Sequence, residues 1–388
     1  MPRHNREGED VGEPDRGRGE HRRGSTERRA YLDWLRGVGV LIMIEAHTLD
    51  SWTRLADRSR PSYRWAIVLG GFGAPIFLFL AGVAMVLAIN ARERRGMSAS
   101  EAGRRATRRG WEVFGLAFLF RLQSLVISGG GMRAYLKVDI LNVMGVSMLV
   151  AAGLLRVCRT TASRVSALAV ALLVAAMLTP PVRSAVWLDW LPDPVEAYLR
   201  PTPGRTTFTL FPWAGFLFAG SLVGVFLDRK GTAETRRNLV LLATGVGIAA
   251  AGYAASYLPP IYSETSYWTS SPTFFFVRLG LITSLVPCAY AWSRVRMSGW
   301  GRSPLQEFGL ASLFVYWIHV EMVYGVVSTP LHRALSFGQA VAAMVVFSLF
   351  LFWLVRLKQR WTSTRAGEKS TTITAYPLSR AQNRPQSG

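Results

Sequence analysis

The sequence predicts an all-α fold: a polytopic integral membrane protein of about ten transmembrane helices, with both termini in the cytoplasm. Three observations carry this. Half of the 388 residues are hydrophobic, and the mean hydropathy is +0.22. Those residues fall in long blocks separated by short basic or Pro/Gly-rich breaks, the pattern of successive bilayer spans. The Lys and Arg residues behind the net charge of +21 sit in the tails and between the blocks, as topology signals do. A nucleic-acid surface needs a basic patch instead, so no nucleic-acid partner is expected.

Each block is near the ~20 residues that a helix needs to cross a bilayer. In order they cover about 31–49, 64–90, 111–128, 138–156, 165–181, 208–227, 238–258, 274–292, 305–327 and 337–355. Residues 1–29 ahead of them are polar, rich in Arg, Glu and Gly, and read as a disordered cytoplasmic tail. The first span shows no small-residue cleavage pattern and is expected to remain as an anchor. The glycines of "LGGFGAPIFLFLAGVAM" in the second span suit close helix packing. Between the fifth and sixth, "PVRSAVWLDWLPDPVEAYLRPTPGR" is aromatic and Pro-rich. Its Trp187, Trp190 and Tyr198 suit the membrane interface, or an entrance for a substrate. The transmembrane body runs over 30–356, and 357–388 reads as a mostly disordered cytoplasmic tail.

The basic residues test this count. With the amino terminus inside, the inner loops 91–110, 157–164, 228–237 and 293–304 hold 16 Lys and Arg. The longer outer loops 50–63, 129–137, 182–207, 259–273 and 328–336 hold 9. The positive-inside rule therefore favours ten spans. No internal repeat of the kind many secondary transporters show is visible.

Charges inside the spans are the functional signal, because each costs about 2.5–3.5 kcal/mol at mid-bilayer. The first span, "LDWLRGVGVLIMIEAHTLDSW", carries Asp33, Arg36, Glu45, His47 and Asp50. On a straight helix Arg36 and His47 share a face, about 16 Å apart along the axis. Asp33 and Asp50 fall within about 60° of the same stripe, while Glu45 lies about 180° from Arg36. The stripe is polar at both ends and apolar between. Arg121, Asp139, Arg278, His319 and Glu321 lie in other spans, most of them in the outer half of the bilayer. Arg121 or Arg278 with Asp139 or Glu321 also fit as structural ion pairs. Two buried histidines without a cysteine or a close carboxylate pair make a poor metal site, so no metal is expected. Cys158 and Cys288 are placed inside or within the bilayer, so no disulfide is expected.

"LDWLRGVGVLIMIEAH", "FGAPIFLFLAG", "KVDILNVMG", "LFPWAGFLFAG", "FFVRLGL" and "LFVYWIHVE" follow one another along the chain. Their order resembles a bacterial branch of the heparan-alpha-glucosaminide N-acetyltransferase catalytic-domain family. That family is grouped with wider transmembrane acyltransferases, including acyltransferase family 3. The wider group carries an Arg, ten residues and a His in its first span, matched here by Arg36 and His47. The resemblance implies a cytoplasmic acetyl-CoA donor, an acceptor on the far side and His47 at the transfer centre. The family's lysosomal member carries an Asn at the position of His47 and its catalytic His in the following loop. The loop here, "TLDSWTRLADRSRPSYRW", has no His, so the heparan substrate is not carried over.

The expected activity is acyl-CoA-dependent O- or N-acyl transfer to an extracytoplasmic sugar or glycolipid at a bacterial cytoplasmic membrane. Catalytic roles fall to His47 as base, Asp50 as the group orienting it, and His319. Arg36 with Asp33, Arg121 and Arg278 are expected to face the donor or the oxyanion, and Asp139 and Glu321 the acceptor. A proton-coupled transporter using the same polar path is the alternative, and a non-catalytic membrane subunit a third reading.

Overall fold

The computed structural model describes residues 29–128, 132–229, 233–295 and 303–374. The expected disordered tail, apart from Arg29, lies outside the described residues, as does the chain beyond 374. Among the described residues fifteen α-helices follow in order. They are α1 (Ala30–Trp52), α2 (Pro61–Gly70), α3 (Gly73–Arg94), α4 (Ala99–Ser128), α5 (Met132–Tyr135) and α6 (Ile140–Val157). Next come α7 (Thr161–Met177), α8 (Thr179–Ser184), α9 (Asp193–Leu199), α10 (Leu210–Leu227) and α11 (Glu234–Ala255). The last are α12 (Pro272–Val295), α13 (Pro304–Leu310), α14 (Ser312–Tyr324) and α15 (Phe337–Thr374). Among the described residues there is no β-strand, only isolated bridges at Thr53–Leu335 and Val138–Thr206. The protein is all-α and polytopic.

Each of the ten expected spans falls largely on helix, and among the described residues six helical segments are long and apolar enough to cross a membrane. Several bounds differ from the sequence expectation. The second span breaks at Gly71 and Phe72 into α2 and α3, next to Gly70, which passes so close to α1 that a Cβ there would lie 2.7 Å from that of Ala46. The ninth breaks at Ala311 into α13 and α14. At its inner end α4 begins at Ala99 rather than 111. Its first turns are polar but laced by Arg105–Glu101 (3.1 Å), Arg108–Glu112 (3.2 Å) and Arg109–Glu112 (3.1 Å), which sustain a helix outside an apolar block. Likewise α15 continues to Thr374, beyond the apolar stretch expected to end at 355.

Local sequence fixes the helix starts that matter. Asp139 caps α6: its carboxylate accepts from Ile140 N (2.7 Å), while its own N–H donates to Asn142 Oδ1 (3.0 Å). Ser303 and Gln306 cap α13 in the same reciprocal way, with Pro304 in the first turn.

The first helix is central, packing against α2, α3, α12, α13, α14 and α15. Its Leu35, Val40 and Ile44 are buried. Its closest neighbour is α13: a Cβ on Gly37 would lie 1.8 Å from the Leu305 carbonyl oxygen, and one on Gly309 1.9 Å from that of Asp33. Small residues at such crossings let backbones touch where lipid gives no hydrophobic drive. Peripheral α11 and α15 bury only 22% of their apolar windows.

Candidate active site

A cavity of about 1510 Å³ runs beside α1 from Arg36 to Asp50. The fourteen helical steps between these residues make that path about 21 Å long. Five of the α3 residues that line it, Gly73, Ala74, Ala81, Ala84 and Ala88, have side chains too short to fill the space facing α1, α4 and α14. Its middle is apolar, with Met43, Phe77, Met85, Leu116 and Met144.

The two ends differ. At the end which the basic loops assign to the cytoplasm, Arg36, Arg92, Arg105, Arg108 and Arg109 line the mouth with Glu112. Arg36 also pairs with Asp33 at 3.1 Å, an ion pair one turn apart on α1. Glu112 is shared by Arg108 and Arg109, so the rim keeps an excess of positive charge. Such a rim suits a phosphate-bearing ligand, since guanidinium to phosphate bonds are charge-assisted and bidentate.

At the outer end, His47 Nδ1 lies 2.8 Å from His319 Nε2. His319 is fully buried on α14, and its Nδ1 is 2.9 Å from the Val315 carbonyl oxygen. The Tyr324 ring meets His47 edge-on at 5.5 Å. One turn beyond, Asp50 accepts from the Tyr324 hydroxyl (3.3 Å) and pairs with Arg58 (3.6 Å). Arg58 also donates to the Asp50 backbone carbonyl. Across the cavity Arg121 pairs with Asp139 at 3.0 Å, and Asp139 accepts from the Tyr316 hydroxyl at 3.2 Å. Glu321 Oε1 and Arg121 Nε are buried with no hydrogen-bond partner among the described residues, and both side chains line the cavity.

Several expected site residues are thus gathered on one cavity: Arg36, His47, Asp50, Arg121, Asp139 and Glu321. His319 stands behind His47. The group holding His47 is His319, whereas Asp50 turns to Tyr324 and Arg58. Arg278 does not line the cavity. Its guanidinium sits over Phe274 at 4.5 Å and Phe72 at 5.8 Å, behind the break between α2 and α3. Glu45 faces the same break on the far side of α1, consistent with its helical angle. In the aromatic segment between the fifth and sixth spans, Tyr198 is half-buried and accepts from Asn142 at 3.2 Å, while Trp187 and Trp190 are exposed.

The rim arginines of α3 and α4 were counted in the sequence only as topology signals. Their helical spacing is the missed clue: Arg105, Arg109 and Glu112 fall on one face with Leu116 and Phe120. Among the described residues, no three or more His, Cys, Asp or Glu side chains are grouped to hold a metal ion.

Fold and site together define a multi-pass membrane protein built around a long internal path, charged at both ends. Its residues 28–252, more than half the chain, match the catalytic family of heparan-alpha-glucosaminide N-acetyltransferase, and the chain belongs to that family. It is therefore a membrane transferase in class. The comparison with curated proteins gave no match. The family match ends inside α11, so Arg278, His319 and Glu321 lie beyond it.

Proposed function

We propose that the protein moves an acetyl group from a cytoplasmic coenzyme A thioester to a hydroxyl or amine of an extracytoplasmic glycan or lipid-linked sugar, in a bacterial cytoplasmic membrane. The supporting observation is the single cavity that joins the arginine rim to His47. The eleven helical steps from Arg36 to His47 cover about 16 Å, a reach suited to an extended pantetheine arm. The rim arginines hold the phosphates, and the apolar middle holds the arm. His47 Nε2 takes the proton of the acceptor hydroxyl as its oxygen attacks the thioester carbonyl. The carbon–sulfur bond breaks, and the same proton passes to the leaving thiolate. The N–H of Arg121 Nε, unpartnered among the described residues, donates to the oxyanion that forms at the outer end. Glu321 and Asp139 offer acceptor atoms to sugar hydroxyls.

The test measures free coenzyme A released from acetyl-CoA by the purified protein with a panel of sugars and lipid-linked sugars. The expected result is acceptor-dependent release that falls about a hundred- to ten-thousand-fold in His47→Ala. Arg105→Gln with Arg109→Gln should raise KM for acetyl-CoA and leave kcat near wild type. No thioester consumption with any acceptor, or solute crossing sealed vesicles without acylation, overturns the proposal in favour of a transporter.

A further inference from the structure

The bond between His47 and His319 joins residues 272 apart in the chain. The rings lie within 3° of parallel, with centroids 5.0 Å apart. A ring nitrogen sits about 1.1 Å from its ring centre, so that separation is the one expected when the N···N line runs straight between coplanar rings. This is an in-plane hydrogen bond rather than a face-to-face stack.

Its direction follows from the atoms around it. The Val315 carbonyl oxygen only accepts, so His319 Nδ1, 2.9 Å away, carries a hydrogen. A neutral imidazole holds one N–H, which leaves His319 Nε2 as an acceptor. His47 Nδ1 therefore donates to it, and His47 Nε2 is bare. That nitrogen has no hydrogen-bond partner among the described residues, and His47 lines the cavity.

We infer that His319 is a positioning residue that fixes His47 in the one neutral tautomer whose cavity-side nitrogen is bare. A buried neutral imidazole does here what a carboxylate does behind the histidine of a serine-hydrolase triad. The arrangement is held from both sides. Ser51, one turn beyond His47, donates to the Val323 carbonyl on α14 at 3.0 Å, which ties the two helices together next to the pair. The Tyr324 ring also packs on the His47 ring in a T-shaped contact at 5.5 Å. The catalytic consequence rests on the acyl-transfer reading above, whereas the tautomer itself does not. Either as base or as an acylated nucleophile, His47 needs the same bare Nε2.

The experiment has two readouts. The first is the ring-nitrogen spectrum of 15N-histidine-labelled protein in nanodiscs. The chain holds five histidines, and His47→Gln assigns the signals of interest by difference. The wild type should show His47 with a protonated Nδ1 and an unprotonated Nε2. His319→Gln places an acceptor oxygen at the reach of Nε2 and should keep that pattern. His319→Ala should let His47 shift toward the Nε2–H form. The second readout is turnover. His319→Ala should lower kcat by about ten- to a thousand-fold with KM for acetyl-CoA unchanged, less than the ~10⁴ lost when the triad carboxylate is altered. His319→Gln should recover much of that loss. A wild-type His47 carrying hydrogen on Nε2, or a His47 spectrum indifferent to His319→Ala, overturns the inference. Because His319→Gln keeps a polar group of similar length, a misfolded alanine variant leaves the test intact. If wild type consumes no thioester yet shows the stated tautomer, the functional proposal falls and this one stands.

Discussion

Asp139 shows how one side chain can serve both scaffold and site. It caps α6, neutralises Arg121 and accepts from Tyr316, with its side chain 15% exposed. These roles separate by substitution. Asp139→Asn keeps a side-chain oxygen for the cap but loses the charge pair. Asp139→Ala loses both, and each variant takes the paired carboxylate from the Arg121 guanidinium at a cost of up to about 3–5 kcal/mol. Thermal unfolding in detergent should rank wild type above Asp139→Asn, and Asp139→Ala below that by about a further 1 kcal/mol, the ordinary worth of an N-cap. Equal melting of the two variants would show that the cap contributes nothing. Activity should fall in both, since Arg121 loses its fixed position at the cavity wall.

The elements separate what a sequence shows from what it hides. The stripe from Arg36 to His47 was legible because both lie on one helix, where spacing alone sets the face. The all-α polytopic class was legible because apolar length and basic loops are local signals. The His47–His319 bond was not, because it joins α1 to α14 across most of the chain. Arg278 was expected to face the donor or the oxyanion, yet its guanidinium lies over Phe274 and Phe72 and does not line the cavity, since the facing of a lone charge does not follow from its position in a span. The breaks within the second and ninth spans escaped because the apolar blocks run through them. Glycine placement was legible in kind but not in partner. At the α1–α13 crossing Gly37 has no room for a methyl, whereas a Cβ on Gly115 of α4 would meet nothing within 4 Å. Gly37→Ala should push α13 from α1, lower the melting temperature and reduce turnover, because α1 carries both Arg36 and His47. Gly115→Ala should leave turnover unchanged and stabilise its helix by up to about 1 kcal/mol. Equal effects of the two substitutions would mean that the crossing does not set the site.

Across the whole molecule, the first outer loop and the last helix are fastened to each other outside the spans. Arg54 N–H donates to Leu335 O at 2.8 Å, Leu335 N–H to Trp52 O at 3.0 Å, and Arg333 N–H to Ser51 O at 2.9 Å. Asp57 completes the clasp. Its carboxylate accepts from the Phe337 N–H at 3.0 Å, at the start of α15, and pairs with Arg54 at 3.1 Å and Arg60 at 2.9 Å. The Phe337 N–H and then the two guanidiniums hold the Asp57 carboxyl below its ordinary range. A carboxyl depressed on folding adds stability that is fully present above its unfolded value of about 3.9 and is lost as pH falls through the lower folded value. The clasp should therefore hold at neutral and mildly acidic pH and fail only in strong acid. Asp57→Asn removes the titrating charge but keeps an oxygen for Phe337. It should melt below wild type at pH 7 and at pH 5, and the gap should close as the pH is taken below about 4. A gap of constant size from neutral pH into acid would assign the effect of Asp57 to packing and hydrogen bonding alone. Loss of the clasp frees the outer ends of α1 and α15 together, so it should also raise proteolysis between residues 53 and 60.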